Sequence, residues 1–516
     1  MRKFYKKQVY TKQERFTPAN GWNEQFLNVF DFVTNNSGNG AIEAVAGGGK
    51  TTALVESIIR WSEVNPRKTA VFIAFNVSVK EEAAKRLAGY PVDVITCHGL
   101  GFKAITNYYK EKFDVQGPTG EYMQKLAQNE FGYEQESFDD RCALLELVSK
   151  AKASLSSTDE ELHKIVTDFG IEFVHVSKDK LVSTAKKLLH YTQYNFGSNF
   201  GKKIITFDDQ IWLPIVNKLD VPQYDAVFVD EAQDLSKARQ TLVKLAMKKD
   251  SRIFLVGDKF QAIYQFSMAD SNSLGNMIEQ HNCTRLPLSV TWRCGNKIVE
   301  SAQKFNPDII AAPNAIDGEI NSIEENSLID EIKYGDVLLS RTNAPLVRWF
   351  FKLAKINKKA KILGKDYGSM LAMRIKKWES EHTKNGYSFS ANDILEYNED
   401  WYSAISEKSK KPSTRQKDEY ETIKVMVELI GSDLDSYQSV KDVLNICYSF
   451  SSDESKGLPD KDCVVLSTIH KFKGCERDRV FVIKKTLSEE SEEERNLCYV
   501  AITRAKKNLV WIEKGE

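Results

Sequence analysis

Three consecutive glycines followed by a lysine and two threonines constrain this chain more than any other feature. They are Gly47, Gly48, Gly49, Lys50, Thr51 and Thr52, in the stretch AVAGGGKTT that begins at Ala44. The run GAIEA before it has strand character, and ALVESIIRW after it reads as a helix. A strand, a glycine loop and a helix N-terminus in succession turn backbone N–H groups toward a phosphate, and the helix end adds positive potential. Ala46 and the three glycines would form the cradle, with Thr52 beside it. Lys50 would reach the β and γ phosphates, and the Thr51 hydroxyl would face Mg2+. The general phosphate-loop pattern begins with glycine, and here Ala44 holds that position. An incidental glycine turn would explain the glycines but not G-K-T-T between a strand and a helix.

A phosphate loop needs an acidic partner, and VFVDEAQDLS at 227–236 supplies one. Asp230 ends a run of β-type residues, where a carboxylate can hold Mg2+. Glu231 is placed to orient and deprotonate an attacking water. An acidic first turn of the helix that follows would explain the charge alone.

Short apolar runs alternate with helical patterns in two zones. TAVFIAF, VDVITC, YDAVFVD and RIFLVGD belong to the first, and GDVLLSR, AKILG, CVVLSTIH, RVFVIK and NLVWIE to the second. Such Val- and Ile-rich runs predict strands buried on both faces of parallel sheets, hence two α/β domains. Charged helical patterns from 105 to 201 and from 370 to 460 interrupt them. The expected division is a first α/β domain over 1–104 and 202–284 with a helical insertion at 105–201. A second α/β domain follows over 285–369 and 461–516 with a helical insertion at 370–460.

Composition adds limits. Lys+Arg and Asp+Glu are both 72, so any nucleic-acid contact must use a local basic groove. The eight cysteines are scattered without a C-x-x-C pair, which argues against zinc and disulfide frameworks. The basic start lacks an apolar core and no apolar run is long enough to span a bilayer. A cytoplasmic location is the expectation, with no membrane partner.

AVAGGGKTT together with DEAQD resembles the superfamily 1 helicases of the UvrD/Rep branch, which commonly carry alanine where the general loop has its first glycine. The other motifs agree in order, and the resemblance implies their roles. In NEQ at 23–25, Gln25 would offer an amide to adenine. AFN at 74–76 and TCHGLG at 96–101 are similar to the single-strand contact motifs, implicating Phe75, Asn76 and His98. In LVGDKFQAIYQF at 255–266, Gln261 would sense the γ-phosphate and Phe266 would stack on a base, with Tyr264 left as core. In LSVTWRCGN at 288–296, Trp292 would stack on the nucleotide base and Arg293 would be an arginine finger. In LSTIHKFKGCERDRVFV at 466–482, Glu476 would lie near the ribose. His470 would bond a phosphate or link the motifs. In EERNLCYVAITRAKKNL at 493–509, Arg504 would be the second arginine finger.

The chain departs from the family pattern at several points. Gly48 replaces the usual serine, a change expected to add loop freedom. Ser267 and Met268 replace an arginine–glycine pair, and Cys475 and Arg477 replace a leucine and an aromatic. The resemblance implies two RecA-like domains and an ATP- and Mg2+-dependent DNA helicase or translocase. It would run 3′ to 5′ on single-stranded DNA, couple ATP hydrolysis at an interdomain cleft to strand separation at duplex junctions, and be a monomer, with protein partners on the insertions. A DNA-stimulated ATPase that remodels nucleoprotein complexes is the alternative. A binding module with a dead nucleotide site fits less well, because every hydrolytic group is present.

Overall fold

The structure is a computed structural model. It describes residues 17–18, 21–132, 138–264, 268, 272–363, 365–384, 386–408, 412–431, 434–449 and 459–513. The chain forms two compact units, Met1–Thr291 and Trp292–Glu516.

The first unit is built on a six-stranded sheet. In spatial order its strands are Val92–Thr96, Ala70–Ala74, Tyr224–Val229, Met247–Gly257, Gly40–Ala44 and Thr284–Leu288, all parallel. Alternate residues of each strand face opposite sides, and both sides are covered. On one face Phe72, Phe228 and Phe254 stand in register on adjacent strands. Phe228 and Phe254 stack at 4.6 Å between centroids, and Trp61 of the helix Lys50–Val64 meets Phe228 edge-on. Burying each such ring stabilises the fold by about 1.5–3 kcal/mol. On the other face Val71, Ile73, Val227, Val229 and Leu255 share one core with Leu144, Val148 and Leu188. Those last three belong to the inserted helices Phe138–Ser154 and Lys178–Tyr194, so the insertion closes the sheet's second face.

Two expectations change here. Residues 285–291 belong to the first unit, because Thr284–Leu288 pairs with Gly40–Ala44. Pro287 within that run hides the strand from a propensity reading. The first insertion also carries a small sheet beside its helices, formed by Phe113–Gln116, Lys202–Thr206 and Gly197–Asn199.

The second unit has its own six-stranded parallel sheet. The order is Glu319–Glu324, Ala505–Glu513, Arg477–Ile483, Val337–Ser340, Val464–Thr468 and Ala360–Ile362. The helix Ala344–Lys355 packs Leu346, Trp349 and Leu353 on it. Its opposite side, at Val347, joins the core of the helical bundle spanning 365–449, with Leu371, Ile375, Ile423 and Met426. The helix has no side-chain cap of its own. Asp418 of the bundle caps it instead, accepting from Asn343 N at 2.8 Å and Ala344 N at 3.0 Å.

Candidate active site

The strand Gly40–Ala44 runs into the glycine loop, and the loop into the helix that begins at Lys50. Gly49 is the N-cap residue with φ 83°, a left-handed conformation that favours glycine. A Cβ there would also meet Phe26 at 2.8 Å. Gly48 is confined rather than freed. Its Cβ would lie 3.0 Å from the carbonyl oxygens of both Val45 and Leu288, so a larger residue needs the backbone around it to shift slightly. The loop is tied to the neighbouring strand by Val45 N donating to Leu288 O at 3.1 Å.

The strands Tyr224–Val229 and Met247–Gly257 bring the acidic groups to Lys50. Its Nζ lies 2.8 Å from Glu231 Oε2. Burial pulls the Lys50 ammonium down, but Glu231, Asp258 and Asp230 outweigh it and hold the pKa above its ordinary value. Asp230 is buried, and its Oδ1 has no hydrogen-bond partner among the described residues. Burial, with Glu231 beside it, pushes Asp230 up to about 7. Glu231 takes φ 48°, a strained conformation for a non-glycine residue.

Sequence reasoning missed two residues that order this cluster. Gln233 donates through Nε2 to Glu231, and its Oε1 accepts from Asp258 N at 3.1 Å. Asp258 in turn accepts from Gln261 Nε2 at 2.7 Å and from Phe260 N at 3.1 Å. A glutamine inside the acidic run DEAQD was the available signal. Gln25 follows Asn23, which caps its helix. Its Oε1 accepts from Ser289 N at 2.9 Å, fixing the amide beside the strand that holds the glycine loop.

Among the expected strand contacts, Phe75 stacks on Tyr264 at 6.0 Å and 22°. Tyr264 is therefore half-buried and paired rather than core. His98 meets Phe207 edge-on at 6.0 Å, and burial, then Arg239, lowers its pKa to about 4. Asn76 caps the helix Val77–Arg86, its Oδ1 accepting from Val79 N at 2.9 Å. Phe266 lies outside the described residues. A cavity of about 10 Å³ is lined jointly by Phe75, His98, Asp230 and Arg239, so the candidate strand contacts and the acid share it.

In the second unit Arg293 is ion-paired to Glu476 and donates through Nη1 to Thr503 O at 3.2 Å. Lys506 Nζ lies 2.9 Å from the other Glu476 oxygen. Burial raises the Glu476 carboxyl, and the two cations overcome it to leave a lowered pKa. Trp292 is 53% exposed. His470 lies on the short helix Ile469–Phe472.

Arg504 is not presented to solvent as a finger would be. It is 1% exposed, with Nε on Val500 O at 2.9 Å and Nη1 on Cys475 O at 3.2 Å. Nη2 adds Thr503 Oγ1 at 3.1 Å.

A parallel sheet feeding a glycine loop and helix, with acids from two further strands converging on the loop lysine, defines the P-loop α/β class of protein. The UvrD/REP helicase N-terminal domain family matches residues 28–282, and the UvrD-like helicase C-terminal domain family matches residues 463–512. Together they span more than half of the chain, which belongs to the UvrD/Rep-like helicase family of superfamily 1. F-box DNA helicase 1 of Gallus gallus is 25% identical over 92% of this chain and 47% of its own length. F-box DNA helicase protein 1 of Schizosaccharomyces pombe is 26% identical over 51% of this chain and 30% of its own. The ATP-dependent DNA helicase PcrA of Bacillus subtilis is 28% identical over 32% of this chain and 22% of its own. The chain thus spans less than half the length of these relatives.

Proposed function

We propose that this chain is an ATP-dependent motor that moves along single-stranded DNA, 3′ to 5′, and separates strands as it goes. The observation that carries the reading is the Lys50–Glu231 pair at 2.8 Å, held within a ring of buried acids at the mouth of the glycine loop. Lys50 and Glu231 neutralise each other before nucleotide arrives. ATP draws Lys50 onto its phosphates, which releases Glu231 to orient a water and take its proton. Gln233 holds the Glu231 carboxylate and Asp258 holds the Gln261 amide, which restricts both side chains before nucleotide binds.

Thr51 and Asp230 are the residues that would hold Mg2+. The fit is supported by the buried Asp230 Oδ1 that lacks a hydrogen-bond partner among the described residues, a carboxylate atom suited to a hard cation or to its bound water. The ion, when bound, neutralises the charge on the transferred phosphoryl group. Arg293 stabilises the same developing charge, and the buried Arg504 would join it only by exchanging its bonds to Val500 O and Cys475 O; Gln25 and Trp292 hold the base, and Glu476 the ribose. Phe75, Asn76, His98, Phe266 and His470 contact the DNA strand.

Duplexes with a 3′ or a 5′ single-stranded tail test the reading. ATP-dependent unwinding from the 3′ tail is expected. Unwinding only from the 5′ tail overturns the direction. ATP turnover stimulated by single strands without unwinding of either duplex favours a remodelling ATPase instead.

A further inference from the structure

Both oxygens of Glu476 are engaged before any nucleotide arrives. Arg293 is ion-paired to Oε2, and Lys506 Nζ lies 2.9 Å from Oε1. A carboxylate neutralised by two cations is a weak acceptor for a ribose hydroxyl. With one cation removed it regains charge, and a bond to an ionised acceptor is roughly twice as strong as one between neutral groups.

The two cations are held differently. Lys506 faces Glu476 because the sheet sets it there. Arg477, the residue after Glu476, pairs with Ala505, the residue before Lys506. Arg477 N donates to Arg504 O at 3.0 Å, and the buried Arg504 donates through Nη1 to Cys475 O at 3.2 Å. Residues on both sides of Glu476 are therefore anchored, and strand register keeps Lys506 opposite it.

Arg293 comes from outside the sheet, from the turn that precedes the helix Asn296–Ala302. The backbone of that turn is fixed. Gly295 N donates to Lys506 O at 2.9 Å, and Cys294 Sγ donates to Thr503 O at 3.8 Å. A long side chain on a fixed backbone can exchange one anion for another without moving the turn. In the reading above, Arg293 stabilises charge on a γ-phosphate. A phosphate and a carboxylate compete for the same planar guanidinium fork, so that role draws Arg293 off Glu476. Lys506 then remains as the cation beside Oε1. A nucleoside diphosphate has no γ-phosphate to offer.

We propose that Arg293 locks Glu476 and that Lys506 is its positioning residue: Glu476 accepts a ribose hydroxyl only after a γ-phosphate has drawn Arg293 from Oε2, while Lys506 holds Oε1. The site reads the ribose of a nucleoside triphosphate and ignores that of the diphosphate. The proposal rests on the nucleotide reading above.

Equilibrium competition binding to the full chain tests it with four nucleotides: the non-hydrolysable β,γ-imido analogue of ATP, ADP, and the 2′,3′-dideoxy form of each. Removing the hydroxyls should weaken the triphosphate analogue by about tenfold, the scale of one hydrogen bond to a charged group, and ADP by less than about twofold. Arg293→Ala should give ADP the ribose preference it lacks, a gain that a merely structural defect would not produce. Lys506→Met should shrink the triphosphate preference to about threefold, as the charge-assisted bond loses its geometry, and Lys506→Arg should restore it. Equal ribose preference for both wild-type nucleotides overturns the lock, as does no preference for either. A full preference in Lys506→Met overturns the role of Lys506. A wild-type chain that binds neither nucleotide removes the nucleotide reading itself, and the lock with it.

Discussion

Glu231 is held in a left-handed conformation between Lys50 and Gln233, and this geometry separates its chemistry from its binding. Glu231→Gln keeps the shape and loses the proton acceptor. It should bind ATP with near wild-type affinity while turnover falls by about 10²–10⁴-fold. Nucleotide-binding titration beside steady-state turnover checks this. The two arginines should part company in the same assays. Arg504→Ala removes a donor from the Cys475 carbonyl and leaves the Val500 carbonyl only Thr503 Oγ1 of its two side-chain donors, so it should cost about 1–3 kcal/mol of stability as well as turnover. Arg293→Ala leaves Glu476 paired with Lys506 and should slow turnover with a much smaller change in melting temperature. Equal melting temperatures for the two variants would contradict this difference. From residue types alone both read as arginine fingers, because the motif does not say how deeply each side chain is buried.

At the scale of elements, the buried pair Lys152–Asp209 ties an inserted helix to the capping box at Thr206. Lys152→Ala leaves an uncompensated buried carboxylate and should destabilise the first unit by about 3–5 kcal/mol, read by denaturant unfolding. Asp225 clamps the sheet from Lys248 Nζ at 2.8 Å to Thr69 N at 2.8 Å. Burial raises its carboxyl, but those partners win and hold it at about 2. A depressed carboxylate contributes stability above its unfolded pKa of about 3.9 and loses it as pH falls through the folded value. Unfolding midpoints should therefore drop between pH 4 and about 2, and Asp225→Asn should flatten that part of the curve.

The strands legible in the sequence are those buried on both faces, such as Ala70–Ala74 and Val464–Thr468. Those missed are the polar edge strand Glu319–Glu324, the proline-bearing Thr284–Leu288 and the short hairpin at 197–206. Each is too short, too polar or too interrupted to show a period. The phosphate loop and its acids were legible because their chemistry fixes residue type and spacing. Gln233 and Asp258 were not, because their role is set by contacts between strands distant in sequence.

For the whole molecule, each insertion shares a core with its motor unit. Ile73 and Val229 pack with Leu144 and Leu188 in the first, and Val347 packs with Leu371 and Met426 in the second. The insertions are structural parts of their units as well as candidate contact surfaces. The central claim is that nucleotide chemistry at Lys50 answers to DNA. Its most direct test is steady-state ATP turnover by the full chain, with and without single-stranded DNA, beside Lys50→Ala. Turnover that rises with single strands and disappears in the variant, while strand binding without nucleotide persists, is the predicted result. Turnover that ignores DNA, or that survives in Lys50→Ala, would contradict the account.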